Sequence, residues 1–291
     1  MSKIQENALL VKVQIKKWSN TKRDADLSDE LARSKAAKSE LLRVNKTLID
    51  SPQVSALSKI GGQITNNILR RLCVPWDDGV HLLNVDLIDK FEEELRKKRD
   101  FWDELVRELG HEYENQVNRA RIALGDAFNE TDYPSRDEVM ARYSITIEYR
   151  PLPSGNDIRV NLPQSKIDQL KSDVESQVTS RIEQAVETVH ERVVDTLQSL
   201  IEGLERHGQK GDDAKRASKF SDNTVNKIAE LADILPALNI TGDPKLTSAS
   251  NDLLTKLRDL DADALRTDET KRQSTADTAK NIVANLTGFY D

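Results

Sequence analysis

Residues 165–204 read SKIDQLKSDVESQVTSRIEQAVETVHERVVDTLQSLIEGL, and this stretch decides the fold class. Its apolar residues recur at steps of three and four, which places their side chains on one face of an α-helix. The steps average roughly 3.67 residues, so the apolar stripe stays nearly straight along the helix. We predict one continuous helix over 165–206, ended by the glycine-containing segment HGQKGDD, and a second helix over 213–235 that folds back on it.

The same spacing predicts helices elsewhere in the chain. Within the helix over 27–49, we expect the apolar residues to form the inner face. These are Leu27, Leu31, Leu41, Val44 and Leu48. A short helix should begin at the capping box Ser135–Glu138. The other predicted helices span 52–72, 88–124, 243–260 and 267–287.

Two regions alternate apolar and polar residues at the period of a β-strand. The first is Leu9–Ile15, and the second is a predicted hairpin whose arms are 144–149 and 157–162. Because a hairpin alone is marginally stable, the first strand is expected to complete a three-stranded antiparallel sheet. Residues 73–85 (CVPWDDGVHLLNV) are predicted to form a loop.

The predicted fold is therefore mainly α (α+β): an elongated bundle of long antiparallel helices with a small three-stranded antiparallel sheet. Residues 1–163 are expected to hold the helical region with the N-terminal strand and the 144–162 hairpin. Residues 164–291 are expected to hold the helical hairpin and the C-terminal helices, in one continuous structural unit with the rest.

Composition agrees with long amphipathic helices, because 32% of residues are charged, 4% are aromatic and the mean hydropathy is −0.61. The single cysteine, Cys73, excludes an internal disulfide and a cysteine-built metal site. No run of residues is apolar enough for a signal peptide or a membrane span. These features predict a cytoplasmic protein that does not bind to a membrane.

Charge is unevenly distributed along the chain. The net charge is −7, but residues 1–85 carry 14 Lys and Arg against 9 Asp and Glu. The basic residues that surround Trp18 are Lys16, Lys17, Lys22 and Arg23. Together with Trp18 they are candidates to bind phosphates and stack a base, as in single-stranded nucleic-acid binding. The alternative is that these lysines protect an edge strand from aggregation.

Known catalytic and cofactor motifs are missing from the sequence. There is no GxxxxGK[ST] and no GxGxxG, and the four histidines lack metal-ligand spacing. We therefore predict no catalytic residue, no cofactor and no metal, and a function in binding other macromolecules.

Two short segments are candidates to bind a protein partner, because aromatic and apolar residues on loops and chain ends often anchor interfaces. The candidates are Trp76, Val80, Leu82 and Leu83 in the 73–85 loop, and Phe289 and Tyr290 near the C-terminus. The alternative interpretation is that both segments cap the core.

Three segments together resemble a phage and bacterial family of unknown function that is encoded beside MoxR-type AAA+ ATPases and von Willebrand A (cobalt-chelatase-like) proteins. The segments are WSNTKRDADL (18–27), LGDAFNETDYPSRDEV (124–139) and a C-terminal region from FSDNTVNKIAELADILPALNITGDPKL (220–246) to LRTDETKR (265–272). Family members tend to have glycine where this chain has Asn20. The resemblance implies no enzymatic activity.

The resemblance implies a phage-encoded adaptor or scaffold that binds an AAA+ ATPase or assembles with itself through helical surfaces. The alternative function is nucleic-acid binding by the basic N-terminal region.

Overall fold

The computed structural model describes residues 2–158, 160, 162–208 and 220–288. It confirms the mainly helical class with a small antiparallel sheet. The helices are α1 (Ser2–Asn7), α2 (Ala25–Ser34), α3 (Pro52–Gln63), α4 (Arg70–Leu72), α5 (Ile88–Leu124), α6 (Arg136–Met140), α7 (Gln164–Gly208), α8 (Asp222–Leu238), α9 (Pro244–Asp252), α10 (Ala262–Thr267) and α11 (Glu269–Thr287). The strands are β1 (Ala8–Lys16), β2 (Thr21–Asp24), β3 (Val44–Thr47), β4 (Val74–Asp77), β5 (Val80–Asn84) and β6 (Ser144–Pro151).

The two longest helices confirm the prediction from apolar spacing. Helix α5 has 37 residues and α7 has 45. Along α7 the predicted stripe is buried, with Val189 1% exposed and both Val193 and Leu197 fully covered. Helices α11 and α8 pack against α7. Helix α8 begins at Asp222, capped by Ser221, and positions 213–219 of its predicted range lie outside the described residues.

The sheet that contains β1 has four strands instead of the predicted three, in the order β4-β5-β1-β6. The prediction that the N-terminal strand lies beside the 144–149 segment in the sheet is confirmed. Strand β5 pairs antiparallel with β1, from Ala8 opposite Asn84 to Lys12 opposite Val80.

The described residues of the second arm of the predicted hairpin, 157–162, do not form a strand, and positions 159 and 161 lie outside the described residues. The chain ends β6 at Pro151 and forms a turn of 3₁₀-helix over Gly155–Asp157, and no strand follows in the described residues before α7. Pro151 and Pro153 lack the N–H groups that would continue the ladder. The turn instead packs on α7, where a Cβ on Gly155 would lie 3.2 Å from the carbonyl oxygen of Lys171.

The predicted loop over 73–85 is also wrong, because it contains the hairpin of β4 and β5. Its turn has Gly79 at φ +67°, a left-handed conformation that glycine adopts without strain. An Asp-Gly pair between apolar residues is a strong hairpin signal, and Asp78-Gly79 provides it.

The predicted helix over 27–49 is wrong beyond Ser34. Ala36 adopts a left-handed conformation at φ +50°, and the chain then reverses to form β3. Strand β3 pairs antiparallel with β2, with Thr21 opposite Thr47, in a separate two-stranded sheet. Helix α2 therefore has 10 residues, and its leucines do not share a helix with Leu41, Val44 and Leu48 as predicted.

The chain folds into two compact units that alternate along the sequence. The first comprises Met1–Lys12, Arg70–Asp89 and Tyr149–Asp291, and the second comprises Val13–Leu69 and Lys90–Glu148. Among the described helices, none is long and apolar enough to cross a membrane.

Candidate interaction surface

The second unit contains a buried ionic cluster centred on Asp132. The Asp132 side chain is 5% exposed and accepts hydrogen bonds from the ammonium groups of Lys22 and Lys46, the latter at 2.9 Å. The Lys46 side chain, 9% exposed, also lies 3.4 Å from a carboxylate oxygen of Asp24. It donates a further hydrogen bond to the carbonyl oxygen of Ala127 at 2.6 Å. The cluster thus joins β2 and β3 to the segment 127–132.

The ion pairs of this cluster keep its buried side chains charged. Burial raises the pKa of Asp132, but the hydrogen bonds from Lys22 and Lys46 lower it by more. The pKa of Asp132 therefore lies below its ordinary value. The hydrogen bond to Asp132 raises the pKa of Lys46, and this outweighs the opposite effect of burial. Both groups therefore remain ionised near neutral pH.

Aromatic stacking and hydrogen bonds fix the segment around the cluster. The ring of Phe128 stacks on that of Tyr133, with centroids 4.8 Å apart, and the Arg121 guanidinium lies 5.0 Å from the Phe128 centroid. The hydroxyl of Tyr133 donates to the carbonyl oxygen of Leu48 at 2.8 Å. This segment lies within residues 124–139, one of the three stretches that carry the resemblance, and Phe128 and Tyr133 make packing contacts in it.

Asn20 has a structural role between β2 and β3. Its side-chain amide donates to the carbonyl oxygen of Ile49 at 2.7 Å, and its side-chain oxygen accepts from the Ile49 amide at 2.9 Å. Its own carbonyl oxygen accepts from the amide of Leu48 at 2.9 Å. Asn20 therefore connects the start of β2 to the end of β3.

Helix α2, in the same unit, buries its small side chains and exposes its large ones. Ser28 is fully buried and Ala32 is 2% exposed, whereas Leu27 and Leu31 are 38% and 39% exposed. The Ser28 hydroxyl accepts from the amide of Val44 at 2.9 Å, which turns this face of α2 toward β3. The prediction that Leu27 and Leu31 lie on the inner face is therefore wrong.

A third residue of the predicted inner face, Leu41, is also exposed. The 3₁₀ turn Ser39–Leu41, which contacts α2, leaves Leu41 78% exposed, so its predicted place on the inner face is also wrong. We call Leu27 and Leu31 the leucine surface. Exposed large apolar side chains that share a helix face mark sites of interaction more often than scattered single ones do.

An open groove of about 810 Å³ lies beside this helix, between the segments 22–30 and 121–132. Its charged lining comprises four cations (Lys22, Arg23, Lys46 and Arg121) and six carboxylates (Asp24, Asp26, Glu30, Asp126, Glu130 and Asp132). Most of them are paired, since Asp24 and Asp132 contact lysines and Glu130 pairs with Arg121 at 3.2 Å. Leu27 contributes apolar surface to the same groove.

The predicted phosphate-binding residues do not form the arrangement that base stacking requires. Trp18 is 5% exposed and packs edge-to-face on Tyr113, with ring centroids 6.1 Å apart. Its indole is therefore not available to a base. Lys16, Lys17 and Arg23 are exposed, as is Lys22, whose charge is paired with Asp132.

The predicted partner-binding residues of the first unit lie in the β4–β5 hairpin. Trp76, Leu82 and Leu83 are 8%, 2% and 0% exposed, and Val80 is half-buried, so these side chains contribute to the core. The carbonyl oxygen of Trp76 accepts a hydrogen bond from Arg181 of α7. The other two candidates, Phe289 and Tyr290, lie outside the described residues.

No family model, no curated protein and no solved structure matches this chain. Within the part of the chain that the structure describes, no group of three or more His, Cys, Asp or Glu side chains is placed to hold a metal ion.

Proposed function

We propose that this protein is a non-enzymatic adaptor or scaffold that binds another protein through the leucine surface of α2. The observation that supports the proposal is the orientation of α2, which buries Ser28 and Ala32 while Leu27 and Leu31 face outward. Apolar side chains that remain exposed after the unit has packed its core stabilise a complex when a partner protein buries them.

The family resemblance suggests the partner and the setting. On that basis the chain is phage-encoded, acts in the host cytoplasm, and binds a MoxR-type AAA+ ATPase or further copies of itself. The structural support for binding is independent of the resemblance, because it rests on the exposure of α2 alone.

The experiment compares partner retention by the wild type and by the double variant Leu27→Ser/Leu31→Ser, using purified MoxR-type ATPase and the chain itself as partners. The matched control is Phe101→Ser, which removes another apolar side chain, 50% exposed, from α5 of the same unit. We expect the double variant to lose binding while it melts within a few degrees of the control. Binding that survives in the double variant, or that the control loses equally, would refute the proposal.

A further inference from the structure

The groove beside α2 has an excess of unpaired negative charge. Among the described residues, Asp26, Glu30 and Asp126 line it without an ion pair, and Arg23 is the corresponding unpaired cation. The buried cluster and the Arg121–Glu130 pair use the remaining charges of the lining. An occupant that brings positive charge to this groove would therefore be attracted, and one that brings negative charge would be repelled.

The unpaired carboxylates lie next to apolar surface. Leu27 lines the groove together with Asp26 and Glu30, and Leu31 follows it one helical turn further along α2. A ligand that fits both features needs apolar side chains and cationic side chains on the same face. An amphipathic helix with leucine-type residues beside lysine or arginine has this pattern, and such helices commonly bind in apolar grooves.

The position of Glu30 argues against a second copy of this chain as the occupant. The midpoint between Leu27 and Leu31 falls at position 29, one residue from Glu30. If two copies paired antiparallel about a two-fold axis through this point, the two Glu30 side chains would face the same edge. They would lie about 3 Å apart along the helix axis, at about 1.5 Å of rise per residue. Because packed helix axes are about 8–10 Å apart, the two carboxylates would face each other along one edge of the seam at roughly that separation, and their like charges favour a cationic partner over a second copy.

We propose that the leucine surface and its groove bind a cationic amphipathic segment of a different protein, with the carboxylates of Glu30 and Asp126 contacting its lysine or arginine side chains. This inference rests on the proposed function and specifies the chemistry of its partner. Because the contacts are exposed, the attraction should weaken as salt is added.

The test titrates the full chain with a synthetic peptide of about 14 residues, roughly four helical turns, that carries leucine on one face and lysine along its edges. A second peptide replaces every lysine with glutamate. We expect the wild type to bind the lysine peptide, with affinity that falls as salt rises, and to bind the glutamate peptide at least about tenfold more weakly, which corresponds to about 1.4 kcal/mol.

Two variants separate the effect of this groove from the general negative charge of the protein. Glu30→Gln/Asp126→Asn neutralises two groove carboxylates, and Asp103→Asn/Glu104→Gln neutralises two exposed carboxylates on α5 of the same unit. Asp26 is left unchanged because a negative charge in the first turn of α2 also stabilises the helix. We expect the groove variant to bind the lysine peptide about tenfold more weakly and the control to bind it like the wild type.

Equal binding of both peptides, or equal loss in both variants, would overturn the cationic assignment. It would also be overturned if sedimentation showed a wild-type dimer that Leu27→Ser/Leu31→Ser converts to a monomer, since a second copy would then cover this surface. In either case, loss of protein binding in the leucine variant would still support the proposed function, so the two failures are distinguishable.

Discussion

The carboxylate of Asp132 lies 2.9 Å from the ammonium nitrogen of Lys46, and both side chains are almost completely buried. This ion pair connects the turn before Tyr133 to strand β3, and Lys22 adds a second cation from β2. The cluster therefore holds one wall of the groove in position relative to the strand that precedes α2.

The substitution Asp132→Asn should destabilise the protein by about 2 kcal/mol, because it removes the closer carboxylate and leaves the buried Lys46 ammonium with Asp24, 3.4 Å away, as its remaining counter-ion. Urea denaturation measures this change. The matched control is Glu112→Gln, which breaks the exposed ion pair between Glu112 and Arg119 on α5 and should cost less than about 1 kcal/mol. Equal effects of the two substitutions would mean that the cluster is not buried in solution.

The same ion pair predicts how stability depends on pH. The pKa of Asp132 is lower in the folded protein than in the unfolded chain, where an aspartate titrates at about 3.9. Its stabilising contribution is therefore present above about pH 4 and is lost as pH falls through the lower, folded-state pKa. The difference in unfolding free energy between wild type and Asp132→Asn should be constant near neutral pH and should shrink in acid. A difference that grows as pH falls would contradict the assigned direction.

The stripe of α7 provides a test of the first unit. Val189 is 1% exposed and lies in the middle of this helix. The substitution Val189→Asp therefore places a carboxylate in the core and should destabilise the protein by about 3 kcal/mol or more. The control is Gln184→Asp, which adds the same charge at an exposed position of the same helix. Thermal unfolding measures both, and an unchanged melting temperature for Val189→Asp would show that the stripe faces solvent.

The long helices could be predicted from the sequence because their spacing is repeated over many turns. In α7 each of several successive turns carries an apolar residue on the same face, and Val189, Val193 and Leu197 are buried together there. The hairpin of β4 and β5 could also have been predicted, since Asp78-Gly79 is a turn signal, but its strands have only four and five residues and the first contains Pro75.

The orientation of α2 could not be predicted in the same way. Leu27 and Leu31 have the spacing of an inner face, and Ser28 does not. The buried face of α2 carries Ser28, whose hydroxyl accepts a long-range hydrogen bond from the Val44 amide, and this bond forms only once β3 is in place. For the same reason the ionic cluster was not predicted, because Lys46 and Asp132 are far apart in sequence and meet only in the folded unit.

The most direct measurement of the central claim replaces Leu31 with a photoreactive amino acid and irradiates the protein together with its partner in the cell that produces both. The control carries the same photoreactive residue at Phe101, an apolar position on α5 that is 50% exposed against 39% for Leu31. We predict a cross-linked protein from position 31 that is absent from position 101 and absent when Leu27 is also changed to serine. Cross-links of equal yield from both positions, or none from position 31, would contradict a role of the leucine surface in binding another protein.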